Sequence, residues 1–267
     1  MSSSPLSTPE PWDLVASGYV AENLAQFEAF AREALRLVPA HGEVLDVAAG
    51  PGSLSLLAAR TARRVHALDF SSAMLHELGT RAAAAGVRNV EARLGDGQAL
   101  PFGDASFDAA YSMFGLIFFP DRARGLAELA RVLRPGARAV VSAWPPRERV
   151  PTFAALFDAM NAELPPPGAG NAPAALGTAA EMKAELARAG FRRTDVHEHV
   201  YDAGTCTPAS LWGMFTRGGA PAVLMRKRMG EEGFADFSRR VVSRLERTMG
   251  KEPRALHLTA LLGVGER

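Results

Sequence analysis

Val44-Leu45-Asp46-Val47-Ala48-Ala49-Gly50-Pro51-Gly52-Ser53-Leu54 runs from a short apolar segment through an acid to a glycine-broken turn, then into helix-forming sequence. A buried strand over Val44–Ala48 delivers Gly50 and Gly52 to a tight turn, where missing side chains let a ligand approach the backbone. The N–H groups of the following helix then face that ligand. Dinucleotide folds place G-x-G-x-x-G here, with a pyrophosphate on those N–H groups and an acid about 20 residues later on a ribose. Position 55 is Ser55 rather than a third glycine, and Asp46 stands before the glycines. A carboxylate there repels a pyrophosphate but can organise an ammonium group or the loop itself. The pattern fits a ligand with a positively charged amino-acid tail and no phosphate.

Around this stretch, strand and helix signals alternate, which predicts a parallel sheet with crossover helices. A helix with apolar residues at helical spacing (Leu24, Phe27, Phe30, Ala31, Ala34, Leu35, Val38) covers 12–38 and is ended by Pro39. Strands are predicted near 43–48, 64–69, 90–94, 107–112 and 137–144, and helices over 52–61, 72–85 and 121–133. Gly86 closes the helix over 72–85, and Arg134-Pro135-Gly136 forms the turn before the fifth strand. From 145 to 177 the composition shifts to Pro, Gly and Ala, including Pro165-Pro166-Pro167, and reads as a loop excursion around a short helix 152–163. A helix 178–189, a strand 192–201, a helical stretch 207–249 and a strand 255–264 complete the chain.

At 267 residues, with 48% apolar and 22% charged content, the sequence makes one elaborated domain. Its 30 basic and 29 acidic residues leave a net charge of +1, without the excess that neutralises many phosphates, so nucleic acid is not an expected partner. Cys206 is the one cysteine, which excludes a disulfide framework and a Cys-rich zinc site. The opening M-S-S-S-P-L-S-T-P-E-P lacks a basic start with an apolar core, and no uncharged apolar run reaches about 18 residues. A cytoplasmic protein without membrane association is the expectation.

In this setting D-x-A-x-G-x-G resembles the first motif of the class I S-adenosylmethionine-dependent methyltransferases, small-molecule members of the UbiE/type 11 kind, with Ala48 in place of the commonest first glycine. The likeness continues through V-H-A-L-D at 65–69, F-S-S-A-M-L at 70–75, L-G-D-G-Q-A-L-P-F at 94–102, S-F-D-A-A-Y-S-M-F at 106–114 and L-A-R-V-L-R-P-G-A-R-A-V-V-S-A-W at 129–144. Order and spacing over roughly 100 residues carry it, since a single G-x-G turn recurs in many folds. The resemblance implies an α/β fold: a doubly wound, seven-stranded, mostly parallel sheet, Rossmann-like, with the last strand antiparallel and a helical substrate cap. It implies an N-terminal lid helix region over 1–40, a methyltransferase domain over 41–267, and a cap insertion at about 205–250.

The cofactor so implied is S-adenosyl-L-methionine. Its expected site comprises Asp46, Ala48, Gly50 and Gly52 in the first motif, Asp69 on the ribose, Phe70, Met74 near adenine, Asp96 and Gly97 at the adenine amino group, and Ser112 where the methyl group meets its acceptor. Asp69 also suits a helix cap, Asp96 an ordinary turn and Met74 a core position. Trp12 and Tyr19, in a W-D-x-x-A-x-x-Y pattern, are expected over the cofactor or as an aromatic staple. The loop after the fourth predicted strand lacks the polar N-P-P-Y of DNA and protein-glutamine methylators. It has Ile117, Phe118 and Phe119 where many small-molecule relatives carry a histidine, so it supplies no base. Tyr19, His197 and His199 are the remaining catalytic candidates. His197 and His199 share a strand face but have no third ligand at metal spacing, so no metal is expected. Phe114, Phe118, Trp144, Trp212 and Phe215 form the expected apolar acceptor site. The activity implied is methyl transfer to an oxygen, nitrogen or carbon of a largely apolar small molecule, a natural product or quinone-like metabolite. The alternatives are a non-catalytic S-adenosylmethionine-binding or regulatory protein and a nicotinamide-dependent oxidoreductase. Oligomeric state is left open.

Overall fold

A computed structural model describes residues 4–164 and 176–267. The first helix, α1 (Glu10–Leu37), leads to β1 (Glu43–Val47), α2 (Ser55–Ala58), β2 (Arg64–Asp69), α3 (Ser72–Ala84) and β3 (Val90–Leu94). Then come β4 (Phe107–Ser112), α4 (Arg122–Val132), β5 (Leu133–Ala143), α5 (Pro151–Glu163), α6 (Ala179–Arg188), β6 (Arg192–Cys206), α7 (Pro208–Gly218), α8 (Ala220–Met249) and β7 (Arg254–Glu266). The strands form one sheet in the order β3-β2-β1-β4-β5-β7-β6. The strands β1 to β5 pair in parallel, and β7 lies antiparallel between β5 and β6. The seven-stranded, doubly wound sheet with an antiparallel last strand is the fold expected from the motifs.

Side chains that alternate along the central strands divide the core in two. Ala109, Tyr111 and Val140 face a layer that includes Phe30, Ala34, Leu156, Phe237, Val241 and Leu245. Phe107, Ala110, Ala139 and Val141 face Leu126, Leu129, Met182 and Leu186. The Tyr111 hydroxyl donates to the Val38 carbonyl at 2.5 Å, tying the end of α1 to β4. Strand order reverses between β1 and β4, and at such a switch point the strand ends part to leave a crevice. The segments after β1 and β4 therefore flank the place where a ligand enters.

Several boundaries differ from the sequence expectation. The helix predicted over 52–61 shrinks to Ser55–Ala58, because Gly50 (φ 54°) and Gly52 (φ 81°) keep the preceding turn out of helical geometry. Arg134-Pro135-Gly136 belongs to β5, whose pairing starts at Phe107↔Leu133. The sixth strand continues past residue 201 to Cys206 across an irregularity between Asp202 and Thr205. The helical stretch 207–249 is two helices, and α8 is broken by Gly230 (φ 72°, ψ 169°). Pro165-Pro166-Pro167 lies outside the described residues. Among the described residues, no helix is long and apolar enough to cross a membrane.

Candidate active site

The turn after β1 has three residues with positive φ, Ala48 (57°), Gly50 and Gly52. Gly52 is required twice, by its φ and because a Cβ there would meet Leu78 Cγ at 2.9 Å. Ala48 is an L-residue in the left-handed region, at a cost of about 1–3 kcal/mol that the surrounding bonds must offset. Opposite it, a Cβ on Gly115 would lie 2.3 Å from the Ala48 Cβ, so the two loops meet backbone to methyl.

Two buried acids support this turn. Asp46 accepts from Ser55 Oγ at 2.6 Å, and burial, with the nearby Asp69 adding to it, pushes its carboxyl up to about 7 against the lowering effect of Ser55. Asp69 accepts from the backbone N–H of Gly50 and of Ser71, each at 2.8 Å, and burial raises it to about 6. It therefore joins the turn after β1 to the start of α3. Asp46 lies beneath the turn, whereas Asp69 opens into the cavity above it.

That cavity has a volume of about 570 Å³, within the range of small-molecule sites. At its β2–β3 end, Met74, Phe70, Gly97, Phe118 and Phe119 make an apolar slot with Asp69 and Asp96 at its edges. Gly97 permits it, since a Cβ there would come within 2.5 Å of the Phe119 ring. Asp96 Oδ1 accepts from the Gln98 N–H at 2.8 Å. The start of α1 and the residues before it cover the slot: Trp12 packs edge-on to Phe118 at 4.9 Å, and Ser7 Oγ, ahead of the helix, donates to the Phe118 carbonyl at 2.9 Å. Asp13 Oδ1 accepts from Ser71 Oγ at 2.6 Å and from the Ala73 N–H at 3.1 Å, fastening α1 to the N-terminus of α3.

Toward β5 the walls become aromatic. Phe114 (φ 59°) stacks on Trp144 with centroids 4.2 Å apart, and its N–H donates to Ser142 Oγ. Tyr19 stacks on Phe27 at 5.2 Å, and Phe27 meets Phe114 edge-on at 5.2 Å. Phe153, Phe157 and Phe215 extend the wall, and Asn23, Gln26 and Arg147 add polar groups.

The cavity thus gathers Tyr19, Ala48, Gly50, Asp69, Phe70, Met74, Asp96, Gly97, Phe114, Phe118, Trp144 and Phe215 from the sequence candidates. Asp46, Gly52 and Ser112 form its support rather than its lining. Trp212 is a correction: it is buried, stacked between Phe215 and Phe234 and edge-on to Phe237, and belongs to the core. His197 and His199 are another, because β6 is the edge strand. His199 packs on Phe30 at 5.9 Å, His197 Nε2 lies 3.4 Å from Asp195, and neither lines the cavity. Sequence reading missed Asp13, Asn23, Gln26, Phe27, Arg147, Phe153 and Phe157. The Phe153/Phe157 spacing of four on a short helix was a usable signal, and Phe27 read as ordinary core.

Two buried hydroxyls next to the turn, Ser53 Oγ and Ser112 Oγ, have no hydrogen-bond partner among the described residues. Buried polar groups are nearly always paired, so these two suit a polar ligand. Over this same region, residues 44–136, the sequence matches the family described as methyltransferase domain. Residues 44–136 are a methyltransferase domain. The chain is 45% identical over 107 residues to the demethylmenaquinone methyltransferase of Corynebacterium kroppenstedtii, a match covering 40% of this chain and 44% of that protein. It is 42% identical over 101 residues to an uncharacterized protein of Mycobacterium tuberculosis, covering 38% of this chain and 36% of that one. The chain thus spans less than half the length of both relatives in these matches. Among solved structures, the YcgJ protein of Bacillus subtilis has a TM-score of 0.60 at 19% identity, covering 91% of this chain and 98% of that one. Phosphoethanolamine N-methyltransferase 2 of Haemonchus contortus, in complex with S-adenosylhomocysteine, has a TM-score of 0.54 at 15% identity, covering 90% and 52%. These likenesses concern the fold. The cofactor of this class I domain is S-adenosylmethionine, and the glycine turn, the buried acid and the apolar slot fit its amino-acid, ribose and adenine parts.

Proposed function

We propose that the protein transfers the methyl group of S-adenosylmethionine to a largely apolar, quinone-like small molecule. One observation carries this reading: a single cavity runs from the Asp69–Gly97 slot to the Phe114–Trp144 wall, so both reactants share one space. The cofactor supplies an electrophilic methyl group on a sulfonium, whose leaving group is its own sulfur. In this reading Asp69 accepts from the ribose hydroxyls, and Met74 and Phe118 hold the adenine with Asp96 and Gly97 at its amino edge. Gly50 meets the amino-acid end.

The aromatic pairs orient a planar acceptor against the turn, and alignment of two reactants is worth about 7–11 kcal/mol. Tyr19 acts as a hydrogen-bond donor. Burial, and secondarily the Asp69 carboxylate, push its phenol above the usual range, so it stays protonated and cannot take a proton from the acceptor. The name of the Corynebacterium relative and the aromatic walls both favour a quinol-like acceptor. The match to a methyltransferase domain and the position of Asp46 ahead of the glycines both favour this reading over the nicotinamide alternative.

Calorimetry with S-adenosylhomocysteine, followed by transfer of a radiolabelled methyl group to a reduced naphthoquinone, tests the proposal. Tight binding with turnover is expected. Binding without turnover on a panel of quinols would favour the non-catalytic reading, and absence of S-adenosylhomocysteine binding would remove the cofactor assignment.

A further inference from the structure

We infer that the acceptor carries a carboxylate on a planar aromatic body and that Arg147 binds this carboxylate. The inference deepens the proposed methyl transfer and rests on it for calling the ligand an acceptor. Its basis is how charge is distributed along the cavity. The acids Asp69 and Asp96 line it at the ends of β2 and β3, and Arg147 lines it just beyond β5. In the strand order, β2 and β5 are three intervals apart, roughly 14 Å at the usual strand spacing. Among the described residues, Arg147 is the one cationic side chain that lines this cavity. One end is therefore acidic, the other basic, and the ground between them aromatic.

Arg147 has capacity to spare. Its Nε lies 3.2 Å from Glu148 Oε1, and its Nη1 lies 3.2 Å from Asp158 Oδ1. Both acids are well exposed, at 72% and 64%, so neither pair holds the guanidinium strongly. Nη2 has no partner among the described residues, and a guanidinium offers five N–H donors in a fork that matches a carboxylate. The neighbouring surface is aromatic: Trp144 stacks on Phe114, and Phe157 meets Phe215 edge-on at 6.1 Å. Rings in such arrangements favour a planar aromatic guest. An aromatic carboxylate is then bound in one direction only, since reversal brings its charge toward Asp69 and Asp96. That direction presents the end opposite the carboxylate to the turn where the methyl group is expected.

The test compares naphthalene-2-carboxylate with naphthalene-2-carboxamide, probes of one shape that differ in charge, by calorimetry on protein with and without S-adenosylhomocysteine. The carboxylate is expected to bind at least tenfold more tightly than the carboxamide. Arg147→Gln should erase that preference while leaving carboxamide and S-adenosylhomocysteine affinities unchanged, and Arg147→Lys should restore part of it. Equal binding of the two probes, binding of neither, or a preference that survives in Arg147→Gln would overturn the inference. Failure of S-adenosylhomocysteine to bind would instead strike the methyl-transfer reading, while the probe comparison on unloaded protein still decides the role of Arg147.

Discussion

Asp46 and Asp69 are buried carboxylic acids on either side of one turn, with Asp46 raised to about 7 and Asp69 to about 6. An acid whose folded pKa lies above its unfolded value binds more protons when folded, so stability falls as pH rises between the two values. For Asp46 that window runs from about 4 to 7, and above it the buried charge costs its full amount. Asp46→Asn, neutral at every pH, is therefore expected to gain on the parent by on the order of 2–3 kcal/mol between pH 5 and pH 8. Thermal melts of both proteins across that range check it, and a constant difference would show that Asp46 does not titrate there. Asp69→Ala is expected to weaken S-adenosylhomocysteine binding by about 1.5–3 kcal/mol, the scale of hydrogen bonds to a charged group. Calorimetry on the folded variant reads this, and unchanged affinity would leave Asp69 as the fastener between Gly50 and Ser71 alone. Both acids were legible because Asp69 ends an apolar strand and Asp46 interrupts one just before the glycine turn. Asp13 and Arg147 were not, because a partner 58 residues away, as Ser71 is from Asp13, leaves no trace in local spacing.

At the level of elements, α1 is fastened over the cofactor slot mainly by Asp13 on the start of α3. Asp13→Ala removes two hydrogen bonds there and is expected to speed S-adenosylhomocysteine release about 5- to 10-fold, as roughly 1 kcal/mol lost from the closed position would do. Stopped-flow displacement measures the rate, and an unchanged rate would mean that α1 does not gate this slot. Parallel strands and their crossover helices were legible because buried strands between amphipathic helices leave a regular alternation. The helical segment after β6 was harder. Periodicity marks Trp212 and Phe215 alike as apolar, but only their positions against Phe234 and Phe237 decide that the first closes the core while the second reaches the cavity. Glycines set the remaining differences: Gly50 and Gly52 shorten α2, and Gly230 breaks α8.

For the whole molecule, α1 serves two ends of the fold. Its first half covers the cavity, and its second half puts Phe30, Ala31 and Ala34 in the core with no exposure at all. Deleting residues 1–8 should preserve a cooperative melt, whereas deletion through Val38 should abolish it. Truncating even one buried Phe costs about 3–5 kcal/mol, against a total stability of about 5–15 kcal/mol. Circular dichroism melts decide, and a cooperative melt after the longer deletion would make α1 an appendage. The position of β7 has a consequence in time. It fills the gap between β5 and β6, yet it is made after both. From the end of β5 to the start of β7 the ribosome adds about 110 residues, which at roughly 5–20 residues per second takes about 6–20 s. Throughout that interval the nascent chain carries a finished parallel half-sheet whose β5 edge has no neighbour, the kind of edge that invites pairing with other chains. Chaperone demand during synthesis should therefore peak between the emergence of β5 and the arrival of β7, and mutations that delay β7 should be felt as aggregation of newborn protein before they are felt as lost activity.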